Sequence, residues 1–450
     1  MSGVIAIQPQ QETGEAAELP AIYFDPPDKY WTRGRNGVWF RRGTADIKRF
    51  MKSQGITSAQ GRGYLSELDQ MLVDIQEENN IRYAGPLAGF AEGIHNIQGD
   101  RVLITRGPKM IEPVEGEWPL LENIFRNMLG VSEGRAQLDH FYGWLNFSLV
   151  TLRARVDCPH DSRGFFPGQA LGLVGEKDAA KSLTQSIITE LLGGRSARPY
   201  QAMLGGTTFN GDWFEAEHLC IEDEAPSTDL RTRRSLGNQI KQVTVNEMHR
   251  CHRKHREPIM LPPFWRLTLS LNDDPEHLMV LPPLDESLSD KIMLLKCRKH
   301  DMPMPTGTPA DKKAFFDALL AELPAFTYSL LNEWTLPEGM ESDRFGVQHY
   351  HHPEILQALS VQSPEQRLLD LIEMEFFSSS APSPMEKRAT DIEKELTRWD
   401  GDCRHAAGKL LNFPSAMGTY LGRLSKSHPK RVQKGAVRDG TQYWVLNPTL

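Results

Sequence analysis

Residues 169–194, QALGLVGEKDAAKSLTQSIITELLGG, restrict the fold more than any other stretch. QALGLVG is a short apolar run closed by glycine, the pattern of a buried strand. A polar loop follows. Then Leu183, Ile187, Ile188, Leu191 and Leu192 share one helical stripe, which Gly193-Gly194 stops. Strand, loop and amphipathic helix in direct succession predict an α/β sheet with helices on both faces.

The loop from Gly175 to Lys181-Ser182 has the spacing G-x-x-x-x-G-K-[ST] of a phosphate-binding loop. Such a loop works by turning backbone N–H groups onto phosphates at a helix N-terminus. The cofactor-binding residues expected here are Gly175, Ala180, Lys181 and Ser182. Lys181 adds charge at the outer phosphates, a catalytic role, and the Ser182 hydroxyl is a Mg2+ ligand. Two positions depart from the pattern. Ala180 stands where the second glycine belongs, and Asp178 sits inside the loop. If the site requires positive φ, a Cβ there costs about 1–2 kcal/mol. The competing reading is an exposed turn with Glu176, Lys177 and Asp178 solvated.

A phosphate loop needs a carboxylate on a neighbouring strand, and HLCIEDEA supplies three. Asp223 is expected to hold Mg2+ and Glu224 to orient the attacking water, with Glu222 the alternative by one register. An acidic strand end is otherwise simply solvated. FWRLTLSLND predicts a further strand tipped by Asn272, between loop and acids, where it would hold the water or the γ-phosphate.

The remaining chain divides by pattern. Residues 1–20 read as a flexible tail. Residues 21–125 read as a small α+β domain: DKYWTRGRNGVWFRR is a hairpin turning at Asn36-Gly37, GRGYLSELDQMLVDIQEENN a helix with Leu65, Leu68, Leu72 and Ile75 on its stripe, and RVLITRGPKMIEP a strand. Residues 126–305 form the P-loop core, 306–377 a helical extension and 378–384 a Ser/Pro linker. Residues 385–450 show three helices and a terminal hairpin, the winged-helix pattern. There Arg423 and Lys426, with Lys430 and Arg431, would face DNA phosphates.

Composition narrows the partners. Net charge is −8, so any nucleic-acid site must be a local basic patch. The five cysteines are scattered and form no C-x-x-C, which argues for a reducing, cytoplasmic setting and against a disulfide framework. No run of 18 apolar residues predicts a membrane span. MHRCHRKHREP, 248–258, is basic and sits between QVTVNEM and IMLPPFWRL, read as paired strands with the basic segment at their tip. Its His249, Cys251, His252 and His255 match no zinc spacing, and QHYHHP, 348–353, reads as a structural turn.

With WLNFSLV, TTFNGDWFEAEHLCIEDEA, LPPFWRLTLSLND, LPPLDESLSDKIMLL and RFGVQHYHHPEIL, the chain over about 130–360 resembles the superfamily 3 helicases, and more narrowly the primase-helicases of phages and prophages. The resemblance implies an AAA+-like ATPase core, an ATP- and Mg2+-dependent ring, a hexamer of identical subunits, moving along single-stranded DNA in replication of a mobile element. No primase triad of acids is evident in the first 125 residues. It also implies a pore hairpin gripping DNA through Arg253, Lys254, His255 and Arg256. An arginine finger would come from Arg231, Arg233, Arg234, Arg266 or Lys291. The departures at Ala180 and Asp178 motivate an alternative, a DNA-binding structural or regulatory protein that hydrolyses weakly or not at all. A small-molecule kinase lacks any second-substrate signature.

Overall fold

A computed structural model describes residues 21–60, 65–130, 136–159, 166–222, 230–274, 277–361, 364–377 and 383–448. Strands β1 (Ile22–Asp25), β2 (Lys29–Arg33) and β3 (Trp39–Gly43) form an antiparallel meander. Its second turn uses Gly37 at φ 80°, the left-handed geometry that Asn-Gly favours. Helices α1 (Thr44–Ser53) and α2 (Glu67–Glu78) cover one face, burying Ile22, Phe24 and Tyr30 against Ile47, Met51, Leu68 and Leu72. Leu65 is not on the α2 stripe; it precedes the helix and is 54% exposed, because Ser66 caps the N-terminus through the Asp69 N–H at 3.1 Å. The other face of the meander carries Tyr23, Trp31 and Trp39.

Those rings pack on Ile81, Ala84 and Leu103, from and beside a second small sheet of β4 (Tyr83–Gly85), β5 (Gly93–Ile97) and β6 (Asp100–Ile104), in the order β4-β6-β5. Tyr83, Phe90, Val102 and Ile104 belong to the same hydrophobic core as the main sheet. The main sheet thus recruits residues from within the span 21–125.

Two helices, α3 (Pro119–Leu129) and α4 (Ala136–Asp157), lead into the main sheet. Its elements follow in chain order: β7 (Ala170–Gly175), α5 (Lys181–Leu191), β8 (Ser196–Ala197), short α6 (Tyr200–Met203), β9 (His218–Glu222), α7 (Leu230–Val245), hairpin strands β10 (His249–Cys251) and β11 (Ile259–Leu261), β12 (Arg266–Leu271) and β13 (Ile292–Cys297). Five parallel strands lie in the order β13-β7-β12-β9-β8. The pleat sorts their side chains. Leu171, Leu173, Met293 and Leu295 join a core with α3, α4 and α5, while Ala170, Val174, Ile292 and Leu294 join the opposite one. Both faces are covered, as parallel sheets require.

QVTVNEM is not a strand. Gln242–Val245 completes α7, because Leu236, Ile240 and Val243 are buried at helical spacing; this packing overrides the β-branched residues' preference.

Where α5 crosses β9 and β12 the contact is polar. Gln185 Nε2 donates to Thr268 Oγ1 at 2.8 Å, and His218 bridges Thr189 Oγ1 (2.7 Å) and Thr268 Oγ1 (2.8 Å). His218 is fully buried, and burial pushes its pKa down to about 3. It is therefore neutral in the folded protein at pH values where the unfolded chain, titrating near 6.5, binds a proton. Its contribution is complete above about pH 6.5 and is lost as pH falls toward 3, by about 1.4 kcal/mol per pH unit within that window. Denaturant midpoints measured between pH 7 and 4.5 should fall more steeply in the wild type than in His218→Asn; equal slopes would contradict it.

Helix α8 (Pro309–Tyr328) is long and apolar enough to cross a membrane by length and composition, but Phe315, Leu319, Leu323 and Phe326 lie in the core with α3, α4 and α5. A small hairpin, β14 (Glu341–Ser342) and β15 (Gly346–Val347), precedes α9 (Pro353–Val361). The QHYHHP segment between them runs parallel to β13: Leu294 N–H donates to Tyr350 O at 2.7 Å and His352 N–H to Leu294 O at 3.0 Å. His351 turns its ring nitrogen Nε2 to Ile292 O at 2.8 Å.

The last unit comprises α10 (Pro364–Phe376), β16 (Met385–Arg388), α11 (Ala389–Leu396), α12 (Arg404–Leu410), α13 (Ala416–Ser427), β17 (Val432–Arg438) and β18 (Thr441–Leu446). Its sheet order is β16-β18-β17. Leu368, Leu369 and Ile372 of α10 share this core with Ile392, Leu421 and Trp444, so α10 packs with the tail and not with α8. Most of the 378–384 linker lies outside the described residues, as do residues 1–20.

Candidate functional site

The candidate phosphate loop begins at Gly175, the last residue of β7, which pairs with Cys297 of β13. A Cβ on Gly175 would stand 2.0 Å from the Cys297 carbonyl oxygen, so only glycine fits. The loop then makes two left-handed residues, Asp178 (φ 66°) and Ala180 (φ 55°). Ala180 is the N-cap of α5 at ψ 13° and gives that helix no side-chain cap. The first-turn N–H groups thus meet no capping side chain, which suits an anion. The consensus glycine position does require positive φ, and the alanine carries strain of about 1–2 kcal/mol. Ala180→Gly should therefore raise stability by about 0.5–1 kcal/mol, after the entropy that glycine adds to the unfolded chain, and tighten nucleotide binding. Denaturant melts with a nucleotide titration check this; a less stable variant with unchanged affinity would contradict it.

Asp178 does not point at the loop's interior. Its carboxylate is 66% exposed and lies 3.9 Å from Lys299 Nζ. Lys181 does turn inward: it is 7% exposed, and its ammonium donates to the carbonyls of Gly175 and Glu176, both at 2.6 Å, and to Asn272 Oδ1 at 3.3 Å. Asn272 follows β12, the strand hydrogen-bonded to both β7 and β9, so the sheet order sets it between the loop and the end of β9. Ser182 is exposed on the first turn of α5. Glu222 ends β9 and pairs with Arg198 at 3.0 Å. Asp223 and Glu224 lie outside the described residues.

Two lysines near this site went unread in the sequence. Lys299 faces Asp178, and Lys296 on β13 pairs with Asp273 at 2.7 Å and Glu354 at 3.5 Å. Burial lowers the Lys296 pKa, but the Asp273 hydrogen bond and the two acidic charges outweigh it and hold it above the usual value. A charge inside the apolar run IMLLKC was the available signal.

The basic segment is the tip of a hairpin, with β10 and β11 as its strands. Lys254 and His255 are exposed, and His255 has φ 60°. The expected flanking grips are not free. Arg253 Nη1 donates to Ala84 O at 2.7 Å, and its guanidinium lies 4.9 Å from the Tyr83 ring centre. Arg256 forms two bonds to Asp25, at 2.8 and 3.0 Å, and one to Pro26 O. The tip is thereby docked on the N-terminal sheets.

Three finger candidates are excluded by burial. Arg233 donates to Leu281 O at 2.9 Å, and Lys291 to Asp290 at 2.6 Å. Arg266, 2% exposed, donates to Ser148 Oγ and to the carbonyls of Trp265 and Phe166; burial pushes its pKa down to about 9. Arg234 is exposed, and the Arg231 side chain lies outside the described residues. In the tail, Arg423 pairs with Glu365 at 2.9 Å and Arg431 with Glu373, both acids of α10, while Lys426 and Lys430 are exposed.

Residues 173–287 match the model of a family of unknown function, DUF5906. No curated protein matches in sequence. Among solved structures, the SCCmec type IV Cch active helicase aligns at a TM-score of 0.27 with 10% identity, over 89% of this chain and 71% of that one, too low to bear on the fold. The apo C-terminal region of NrS-1 superposes at a TM-score of 0.52 with 11% identity, over 95% of this chain and 96% of that one, so this chain is similar to it in overall fold.

Proposed function

We propose that this chain is an ATP-dependent DNA translocase of the superfamily 3 helicase type, acting as a ring of identical subunits in the cytoplasm during replication of a phage or other mobile element. The observation that carries the reading is the buried Lys181 ammonium at the end of a central parallel strand, beside Asn272 of the next strand and an uncapped helix start. Bound ATP with Mg2+ supplies a γ-phosphoryl group for transfer to water. Gly175 and the N–H groups around Ala180 would cradle phosphates. Lys181 would exchange its carbonyl partners for phosphate oxygens, and Ser182 with Asp223 would hold the metal. Glu224 would take the water's proton, with Asn272 orienting it. Lys254 and His255 would meet the strand. The strand, three-helix and hairpin order of the tail supports a winged helix, where Lys426 and Lys430 remain available to duplex phosphates.

The second reading, a DNA-binding structural or regulatory protein, draws on the two left-handed non-glycine residues in the loop, Asp178 and Ala180. Steady-state ATP turnover of the full chain, with and without single-stranded DNA, decides between them. Turnover stimulated by the strand is the expected result. Nucleotide binding without turnover selects the second reading.

A further inference from the structure

A cleft of about 330 Å3 opens where the meander meets the hairpin tip, within the roughly 300–1,000 Å3 range of ligand sites. The meander contributes Asp25, Trp31 and Arg41; the tip contributes Arg253, Lys254 and Arg256. Trp31 and Arg41 are direct cross-strand partners. Four cations thus line one concavity with a single carboxylate, in a chain whose net charge is −8.

The walls are built. Asp25, 5% exposed, accepts from both Nη atoms of Arg256 and from Trp31 Nε1 at 3.2 Å, and lies 3.9 Å from Arg41 Nε. Arg253 is held by Ala84 O and the Tyr83 ring. These bonds fix the guanidinium groups while using part of their five donors each. Nearby acids offset only part of the excess: Glu215, 3.9 Å from Arg253, answers one cation, and Glu257 pairs with Arg82. Arg41 and Lys254 remain exposed.

We propose that this cleft holds single-stranded nucleic acid, a phosphodiester meeting Arg41 and Lys254 and a base lying against Trp31. Fixed cations draw a polyanion, and an aromatic wall accepts only a base freed from pairing. The partner class rests on the translocase reading, but the site does not: the tip is one wall of a cleft closed by the N-terminal meander.

The test is fluorescence anisotropy of labelled oligothymidylate and oligouridylate on the full chain across a salt series. Arg41→Ala and Lys254→Ala should each weaken binding by about fivefold and lower the salt slope by about 0.7, with both effects adding in the double variant. Arg41 lies outside the hairpin, so its effect separates a cleft from a hairpin acting alone. Should Arg41→Ala lose the meander, Arg41→Gln, which keeps a long polar side chain at this exposed position, decides in its place, with Trp31→Leu as its aromatic counterpart on the same wall. Unchanged affinity and slope in a folded double variant overturn the proposal. So does competition by pyrophosphate as strong, per phosphate, as by the oligonucleotide. Nucleotide binding by Lys181→Ala is read separately, so loss of the cleft and loss of the P-loop reading are distinguishable.

Discussion

Lys181→Ala is expected to lower ATP turnover by about a hundredfold or more and to remove measurable nucleotide binding while the fold survives. The magnitude is that of losing a preorganised charge at a site where negative charge develops. The ammonium sits at 7% exposure on two carbonyls of its own loop. Without it those carbonyl dipoles face the phosphates, and attraction becomes repulsion. Stability should change little by comparison, since water can enter to the freed carbonyls and the strand ladder of β7 stays whole. Lys181→Arg should also fail, because a planar fork cannot occupy the point-charge position between Gly175 O and Asn272 Oδ1. Calorimetric nucleotide titration, turnover and a thermal melt are the measurements. A folded variant that binds nucleotide as tightly as the wild type would remove the P-loop assignment.

The sequence revealed what local pattern controls. The β7–loop–α5 unit was legible because an apolar run, a fixed spacing and a helical stripe lie within 26 residues, 169–194. The same spacing marked Ala180 as the position where positive φ would matter, and its φ is 55°. Long-range choices were not legible. QVTV looks like a strand until Leu236 and Ile240 are known to face the core with Val243. Arg253 and Arg256 read as free cations because Ala84 and Asp25, their partners, stand far away in the chain. Arg266 looked available as a finger because burial against Ser148 leaves no mark on the sequence. The same holds for the α10 carboxylates that pair with Arg423 and Arg431.

Glu217→Ala is expected to destabilise the α/β core by about 3–5 kcal/mol, the cost of stranding a buried charge. Glu217 is 0% exposed and sits one residue before β9. Its carboxylate accepts from Arg195 Nε at 2.9 Å, from Arg195 Nη2, and from the Gly89 N–H at 2.9 Å. It therefore ties the start of β9 to the edge strand and to the loop after β4. Removing it leaves the Arg195 guanidinium, 10% exposed, without its carboxylate, and orphans an amide as well. Glu217→Gln keeps an acceptor and should lose less. Replacing both partners, Arg195→Met with Glu217→Leu, should recover most of the loss, because an apolar pair of similar volume buries no charge and leaves only the Gly89 N–H without its acceptor. The measurement is the denaturant midpoint of the core transition in the two single variants and the double variant. A cost below about 1 kcal/mol for Glu217→Ala would mean that water reaches Arg195 and that β9 is held by its ladders to β12 and β8 alone.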